Sequence, residues 1–470
     1  MQIAKQHNLT RGNAAKNLWD FMLPYLVTYL IQALYSTADL FVLGKFGSGA
    51  ISVAAVTNGM IIMWLVLGIV MGFTTGITVL IGQYYGAGNR KQLKRCIGSS
   101  ISAYMIFAIV YTAIMLMFIP YILRIMGVPE DAFAETLIYT NICSLGIVFI
   151  TGYNIFAAIF RGIGNSKVPL VIVAIACSIN IILNFILIAW LGYGIGAAAI
   201  GTVFSQALSM FLMLWFMTKT NIGFSFKKRN FIIDKKILNE LLRIGVPISA
   251  TEVSSALAFT FVQTVINGMG LAAAAGAGIV TRISLFVWLP AFAFMGSVSA
   301  ITAQSIGAKK PQRAVVTLGL GIYWTTAFGI CVFILQMLFA EEVISLFIGQ
   351  GTDRAEEAVQ AGVMYMRGIA WDYILFSILC CLNGFFNGCR RTFFTMINNV
   401  FVAGLVIVPL TYIFSRLPGT SLYLMGFICP ITSAVSIVIA GIYFYSGRWK
   451  PKRLSKKDIR AAEVTLPVRK

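Results

Sequence analysis

Charge is what this sequence has least of. Only 11% of its 470 residues are Asp, Glu, Lys or Arg, against about 25% in soluble domains. Acids are scarcest, 16 against 36 bases, while 59% of the chain is hydrophobic. A chain this long and this apolar would expose too much greasy surface to stay dissolved. That excludes an ordinary cytosolic enzyme and a disordered chain. Histidine occurs once, as His7, and the eight cysteines (Cys96, Cys143, Cys177, Cys331, Cys380, Cys381, Cys389, Cys429) show no CxxC spacing. Zinc, haem and histidine acid–base chemistry therefore lack their residues. Most of the cysteines lie in apolar runs and read as small buried hydrophobes, not as a disulfide scaffold. The sequence reads as a non-enzyme without a cofactor.

What is present is a succession of uncharged stretches: 46–89, 96–123, 168–218, 283–308, 314–340, 392–415 and 417–447. A membrane-spanning helix needs about 20 apolar residues. The first apolar stretch has a basic leader but no small-residue cleavage site, and it contains Asp39. It reads as a retained span, not a signal peptide. The pattern predicts an all-α integral membrane protein with twelve spans, near 18–43, 50–82, 96–123, 135–160, 168–190, 195–218, 238–267, 272–303, 314–340, 357–388, 392–415 and 420–446.

The net charge of +20 then acquires a meaning other than nucleic-acid binding. With twelve spans, 30 of the 36 basic residues fall on one face, the exceptions being Lys45, Arg124, Arg282, Arg354, Arg367 and Arg416. The opposite loops carry acids such as Glu130, Asp131, Glu341 and Glu342. The positive-inside rule places both termini in the cytoplasm and the chain in the cell membrane. The sequence also repeats: Gln83-Tyr84-Tyr85-Gly86-Ala87 recurs as Gln304-Ser305-Ile306-Gly307-Ala308, and Pro24 with Gly47 recurs as Pro247 with Gly270. Arg161-Gly162-Ile163-Gly164-Asn165 is matched to Asn383-Gly384-Phe385-Phe386-Asn387, a shift of 222. Six spans per half give two parallel repeats about an axis along the membrane normal. The expected organisation is a first lobe over 1–219, a basic linker over 220–236, a second lobe over 237–446 and a basic tail over 447–470.

With these Gln-x-x-Gly-Ala span ends, the Arg161-Gly162-x-Gly164-Asn165 turn and the 6+6 layout, the sequence resembles the multidrug and toxic compound extrusion (MATE) family. That family lies within a wider group that includes polysaccharide and lipid-linked-precursor flippases. The resemblance covers almost the whole chain. It implies two six-helix lobes forming a V around a central cavity, and export of small amphipathic organic cations, by a monomer, in exchange for H⁺ or Na⁺.

Ionisable groups inside a bilayer are functional candidates by default. Asp39 lies nineteen residues beyond Asp20 in the first span, about 28 Å at 1.5 Å per residue, and so in the outer half. Asn180 and Asn184 are four apart, on one helix face, and Thr202 and Tyr139 lie early in spans that start outside. Depth alone gathers Asp39, Tyr139, Asn180, Asn184 and Thr202 in one layer. The set resembles the first-lobe cation and proton site of several MATE branches, some of which have Asp where this chain has Asn184. One carboxylate with amide oxygens at Asp39, Asn180 and Asn184 could bind Na⁺, and Asp39 could equally take a proton; a capped structural carboxylate is the plain alternative. The second half offers Glu252, Asp372 and Arg282. Asp372 precedes Gly384 by twelve residues, as in the family's sodium-coupled branch; Glu252 follows Pro247 by five, closer than in that branch. A buried ion pair between Arg282 and one of these acids is the favoured reading, ahead of a second cation site. A flippase for lipid-linked oligosaccharide or polysaccharide is the rival function; it is disfavoured because only Arg282 and Arg367 could hold a pyrophosphate within the spans. No substrate contact is assigned.

Overall fold

A computed structural model describes residues 8–46, 50–220, 224, 227–348, 353–417 and 422–450. The tail expected over 447–470 lies outside the described residues beyond Lys450, as do His7 and parts of the 220–236 linker. In hydrocarbon every backbone N–H and C=O must be satisfied within the segment, and the chain answers with helices: α1 (Ala14–Phe46), α2 (Ala50–Gly86), α3 (Arg90–Ile125), α4 (Glu130–Leu145), α5 (Ile147–Gly162), α6 (Lys167–Asn184), α7 (Ile195–Lys219), α8 (Lys235–Asn267), α9 (Leu271–Gly307), α10 (Pro311–Ser345), α11 (Asp353–Gly388), α12 (Thr392–Val402), α13 (Val408–Arg416) and α14 (Leu422–Tyr445). Eleven described helices are long and apolar enough to cross a membrane, and α4 with α5, bent by 44°, forms a twelfth span. The twelve spans follow the sequence pattern, but several run about a turn further at the basic face, where polar residues cap them. Asn89 Oδ1, for example, accepts from Gln92 N at 3.1 Å, and Asp234 Oδ1 from Lys236 N at 2.9 Å.

Three irregularities were not legible in hydropathy. Gly146 marks the α4–α5 bend, and a Cβ there would lie 2.7 Å from Val203 Cγ2 of α7. α6 ends in a π-helical segment, Phe185–Trp190, and a second one, Ala403–Ile407, joins α12 to α13. Segments of this kind interrupt regular helices often at functional sites.

The helices sort into two lobes, α1–α7 and α8–α14, whose cores differ from one face to the other. Toward the acidic face each lobe has a core of its own. One holds Val42, Val56, Met63, Tyr139, Ile147 and Ile195. The other holds Val262, Val280, Ile344, Tyr365, Met425 and Ile428. At the basic face the cores are shared. Ile237 and Leu241 of α8 pack with Ile77, Leu80, Ile97 and Phe160 of the first lobe. Leu9, Leu18, Phe21 and Met22 pack with Phe294, Ile301, Phe385 and Trp449 of the second. The lobes are thus fastened at the basic end and separate toward the acidic end, and both described chain ends lie at the basic end.

The fastening is a close helix crossing. Gly68, Gly72 and Gly76 make a small-residue stripe on α2 at four-residue intervals. A Cβ on Gly72 would lie 2.4 Å from Ser249 N, and one on Gly76 would lie 3.3 Å from Gly245 N, both in α8. Without a hydrophobic force between helices in lipid, such close backbone approach is how spans gain packing. Ser249 Oγ adds a bond to Ile69 O at 2.9 Å.

The repeat holds, with one correction to its register. Gln83 Nε2 donates to Gly388 O and Gln304 Nε2 to Gly162 O, each at 2.9 Å. Ser166 Oγ donates to Phe21 O (2.8 Å) and Thr392 Oγ1 to Arg243 O (3.2 Å). Gly162 therefore corresponds to Gly388, not Gly384. The shift at the ends of α5 and α11, and through the turn that follows each, is thus 226 rather than 222, and Arg390 occupies the left-handed position (φ 59°) that Gly164 (φ 90°) occupies in the first half.

Candidate functional site

Asp39 is 4% exposed, deep in the acidic-side core of the first lobe. Asn184 Nδ2 donates to its Oδ1 at 2.5 Å and reaches Asn180 Oδ1 at 3.2 Å. Asn180 and Asn184 are buried too; their four-residue spacing on α6 aims both amides at α1. Thr202 of α7 stands beside the same carboxylate, with its hydroxyl 3.0 Å from Ala198 O, to which it donates. Tyr139 of α4 lies within electrostatic reach of Asp39, its ring so close to α2 that a Cβ on Gly59 would be 2.5 Å from it. The five residues gathered by depth thus meet in one place. Two more belong with them. Tyr35, one turn before Asp39, faces both Asp39 and Thr202, a position its i, i−4 spacing could have given. Gly201 of α7 lets the Asn184 amide approach, since a Cβ there would lie 2.5 Å from Asn184 Oδ1.

The arrangement is rich in oxygen and short of hydrogen bonds. Asn184 Oδ1 and the Tyr35 hydroxyl are buried without a partner, although buried polar groups are normally satisfied. A carboxylate, an orphan amide oxygen and two hydroxyl oxygens form the hard donor set that suits a small cation. The residues therefore fit Na⁺, and Asp39 alone fits a proton.

The sequence model of the family described as MatE matches this chain twice, over residues 24–186 and 247–413. The chain belongs to the MatE family. It is a multi-pass membrane transporter, and the two matched segments are the two halves of the repeat. Over 97% of its length it is 26% identical to a probable multidrug resistance protein, YoeA, of Bacillus subtilis, covering 99% of that protein. Its fold is similar to a MOP superfamily transporter from Pyrococcus furiosus whose binding pocket is described as of reverse polarity (TM-score 0.88, 22% identity, 95% of this chain and 99% of that one). It is similar also to an outward-facing multidrug resistance MATE transporter (TM-score 0.85, 23% identity, 98% and 99%).

The second lobe of this MatE protein departs from the sequence reading. Asp372 of α11 is buried and accepts from Ser433 Oγ of α14 at 2.5 Å, beside a Tyr373–Ser284 hydroxyl pair 2.7 Å apart. Arg282 is exposed on α9 and Glu252 exposed on α8. Among the described residues the ion pairs are Arg95–Asp234 and Arg390–Glu240, so the expected pairing of Arg282 with Glu252 or Asp372 is not formed. The physical reason is that the Ser433 hydroxyl already serves Asp372, whereas Arg282 lies on an exposed face of α9, away from both acids. Glu252 sits at the α2–α8 crossing, with Gly68 leaving room beside its Cβ (3.4 Å).

Arg161, of the turn motif that carries the family resemblance, is not an exposed charge. It is 6% exposed in the last turn of α5, its guanidinium 5.0 Å from the Tyr25 ring centre. Tyr25 stacks on Tyr29, 5.0 Å between centroids, and both residues are on α1. A buried cation thus backs the lower half of α1, a placement that only the fold reveals.

Proposed function

We propose that this MatE protein exports amphipathic organic cations in exchange for H⁺ or Na⁺ by alternating access, with Asp39, Tyr139, Asn180, Asn184 and Thr202 as the coupling site. The observation that carries the reading is the buried Asp39 carboxylate with its orphan oxygens, on a helix whose other half is packed into the opposite lobe. If the basic face is cytoplasmic, the lobes are closed inside and parted outside. A cation entering from outside would neutralise Asp39 and complete the donors of Asn184 and Tyr35. The lower half of α1, bendable at Pro24, would transmit the change to the α1–α9 contact at Gly296, where Tyr25 leaves no room for a Cβ. A ligand shifts such an equilibrium only by its different affinity for the two states; ion and substrate competing for the outward state supply that difference. Asp372, with Glu252 nearer the cleft, is the candidate for a second cation site. The names of relatives such as YoeA, a probable multidrug resistance protein, support the substrate class.

The test is efflux of a fluorescent organic cation from proteoliposomes under separately imposed H⁺ and Na⁺ gradients. One gradient is expected to drive efflux, and Asp39→Asn to abolish the driven component while leaving a folded, membrane-inserted protein. Undiminished driven efflux by Asp39→Asn refutes the coupling role.

A further inference from the structure

The basic face is held shut by two chemically identical elements placed by the repeat. Gln83 near the end of α2 donates to Gly388 O at the end of α11, and Gln304 near the end of α9 donates to Gly162 O at the end of α5. Each bond joins one lobe to the other. Beside each runs a reciprocal backbone contact: a Cβ on Gly86 would lie 2.1 Å from Gln304 O, and one on Gly307 would lie 2.1 Å from Gln83 O. The Gln-x-x-Gly-Ala motif that marked the repeat is thus the surface on which α2 and α9 cross.

One of the two elements is tied further. Gln304 Oε1 accepts from Leu9 N at 3.3 Å. Leu9 is 2% exposed, and the strap around it is held by cations from the start of α10 and the turn before it. Arg313 donates Nε to Leu9 O (2.9 Å), Nη1 to Gly12 O (2.8 Å) and Nη2 to Arg11 O (3.1 Å). Lys310 Nζ donates to Thr10 O (3.0 Å). The equivalent segment ahead of α8 crosses the other way, onto α3: Ser99 Oγ donates to Ile232 O (3.2 Å) and Ser102 Oγ to Phe231 O (2.7 Å).

We propose that Gln83 and Gln304 are the paired latches of the gate on the basic face, and that the 8–12 strap, clamped by Arg313, locks the Gln304 latch. The lobes cannot part at this face while either amide bridges them, because each bond crosses the parting surface. Parting hydrates both amides and both glycine carbonyls, so each bond counts on the closed side only. The strap adds to one side because its Leu9 N–H and the Gly162 carbonyl share a single side chain. This rests on alternating access as proposed above, but not on the identity of ion or substrate.

Hydrogen exchange of the full chain in nanodiscs, with no substrate or gradient, tests it. Gln304→Met keeps the shape and removes the bond. Losing one buried amide bond is expected to raise exchange about tenfold in segments 8–17, 159–167 and 300–312. Exchange in the opposite turns, 124–131 and 265–272, should fall as the lobes close there. Gln83→Met should act likewise, and its effect should multiply with that of Gln304→Met. Arg313→Gln, a surface change that spares the packed core, should shift the same segments and combine less than multiplicatively with Gln304→Met. Three outcomes overturn the proposal: wild-type exchange in all variants, a rise at the basic end with no fall at the other, or independent effects of Arg313 and Gln304. A failed efflux assay with these results intact would refute the ion-coupling reading alone.

Discussion

At the scale of single residues, the candidate coupling site depends on Asn184, whose amide donates to the Asp39 carboxylate. Removing a partner from a buried charged group costs its desolvation, about 1–3 kcal/mol or more. Asn184→Leu is therefore expected to lower thermal stability in detergent, and the loss should be smaller in an Asp39→Asn background. Equal losses in both backgrounds would break the proposed link. Asp39, Asn180 and Asn184 were legible in sequence because polar side chains stand out in apolar runs, and helical rise converts position to depth. Gly201 was not, since a glycine is unremarkable in a span, and Tyr35 is marked only by its four-residue spacing from Asp39. Arg161 was misplaced for the opposite reason: a charge near a span end reads as solvated, and only packing against Tyr25 shows it buried.

Between whole elements, the α2 stripe of Gly68, Gly72 and Gly76 sets how closely the lobes approach. Gly72→Leu would drive a side chain into Ser249, whose N and Cα lie 2.4 and 2.7 Å from a Cβ at that site. The expected result is loss of efflux with faster hydrogen exchange over 241–252, read on the same reconstituted sample; normal efflux would show that the crossing need not be tight. α1 is the element that joins the two functions. Its outer half contributes Asp39, Val42 and Leu43 to the first lobe, and its lower half contributes Leu18, Phe21 and Met22 to a core of the second. Pro24 lies within the lower half, without an N–H for the helix ladder, and Thr28 Oγ1 bonds back to Pro24 O at 2.8 Å. Pro24→Ala should stiffen this junction and slow driven efflux without lowering stability, measured by initial rates and melting together. No residue pattern marks α1 as belonging to both lobes, because its apolar composition suits either core.

For the whole molecule, the distribution of charge makes a prediction of orientation. Cysteines placed at Lys94 and Gln312, both exposed at the basic end, should resist a membrane-impermeant thiol reagent added to intact cells. One at Glu130, exposed at the acidic end, should react; the reverse pattern would invert the topology. Class, span number and repeat were determined by the sequence alone, because a bilayer demands continuous apolar helices and leaves charge only at their ends. Tertiary structure decided the rest: the 226-residue register at Gly388, the unpaired Arg282, the exchange of α1 and α8 across the lobes, and the closure by Gln83 and Gln304. Those features depend on which helix faces meet, and in lipid both faces of a helix can be equally apolar.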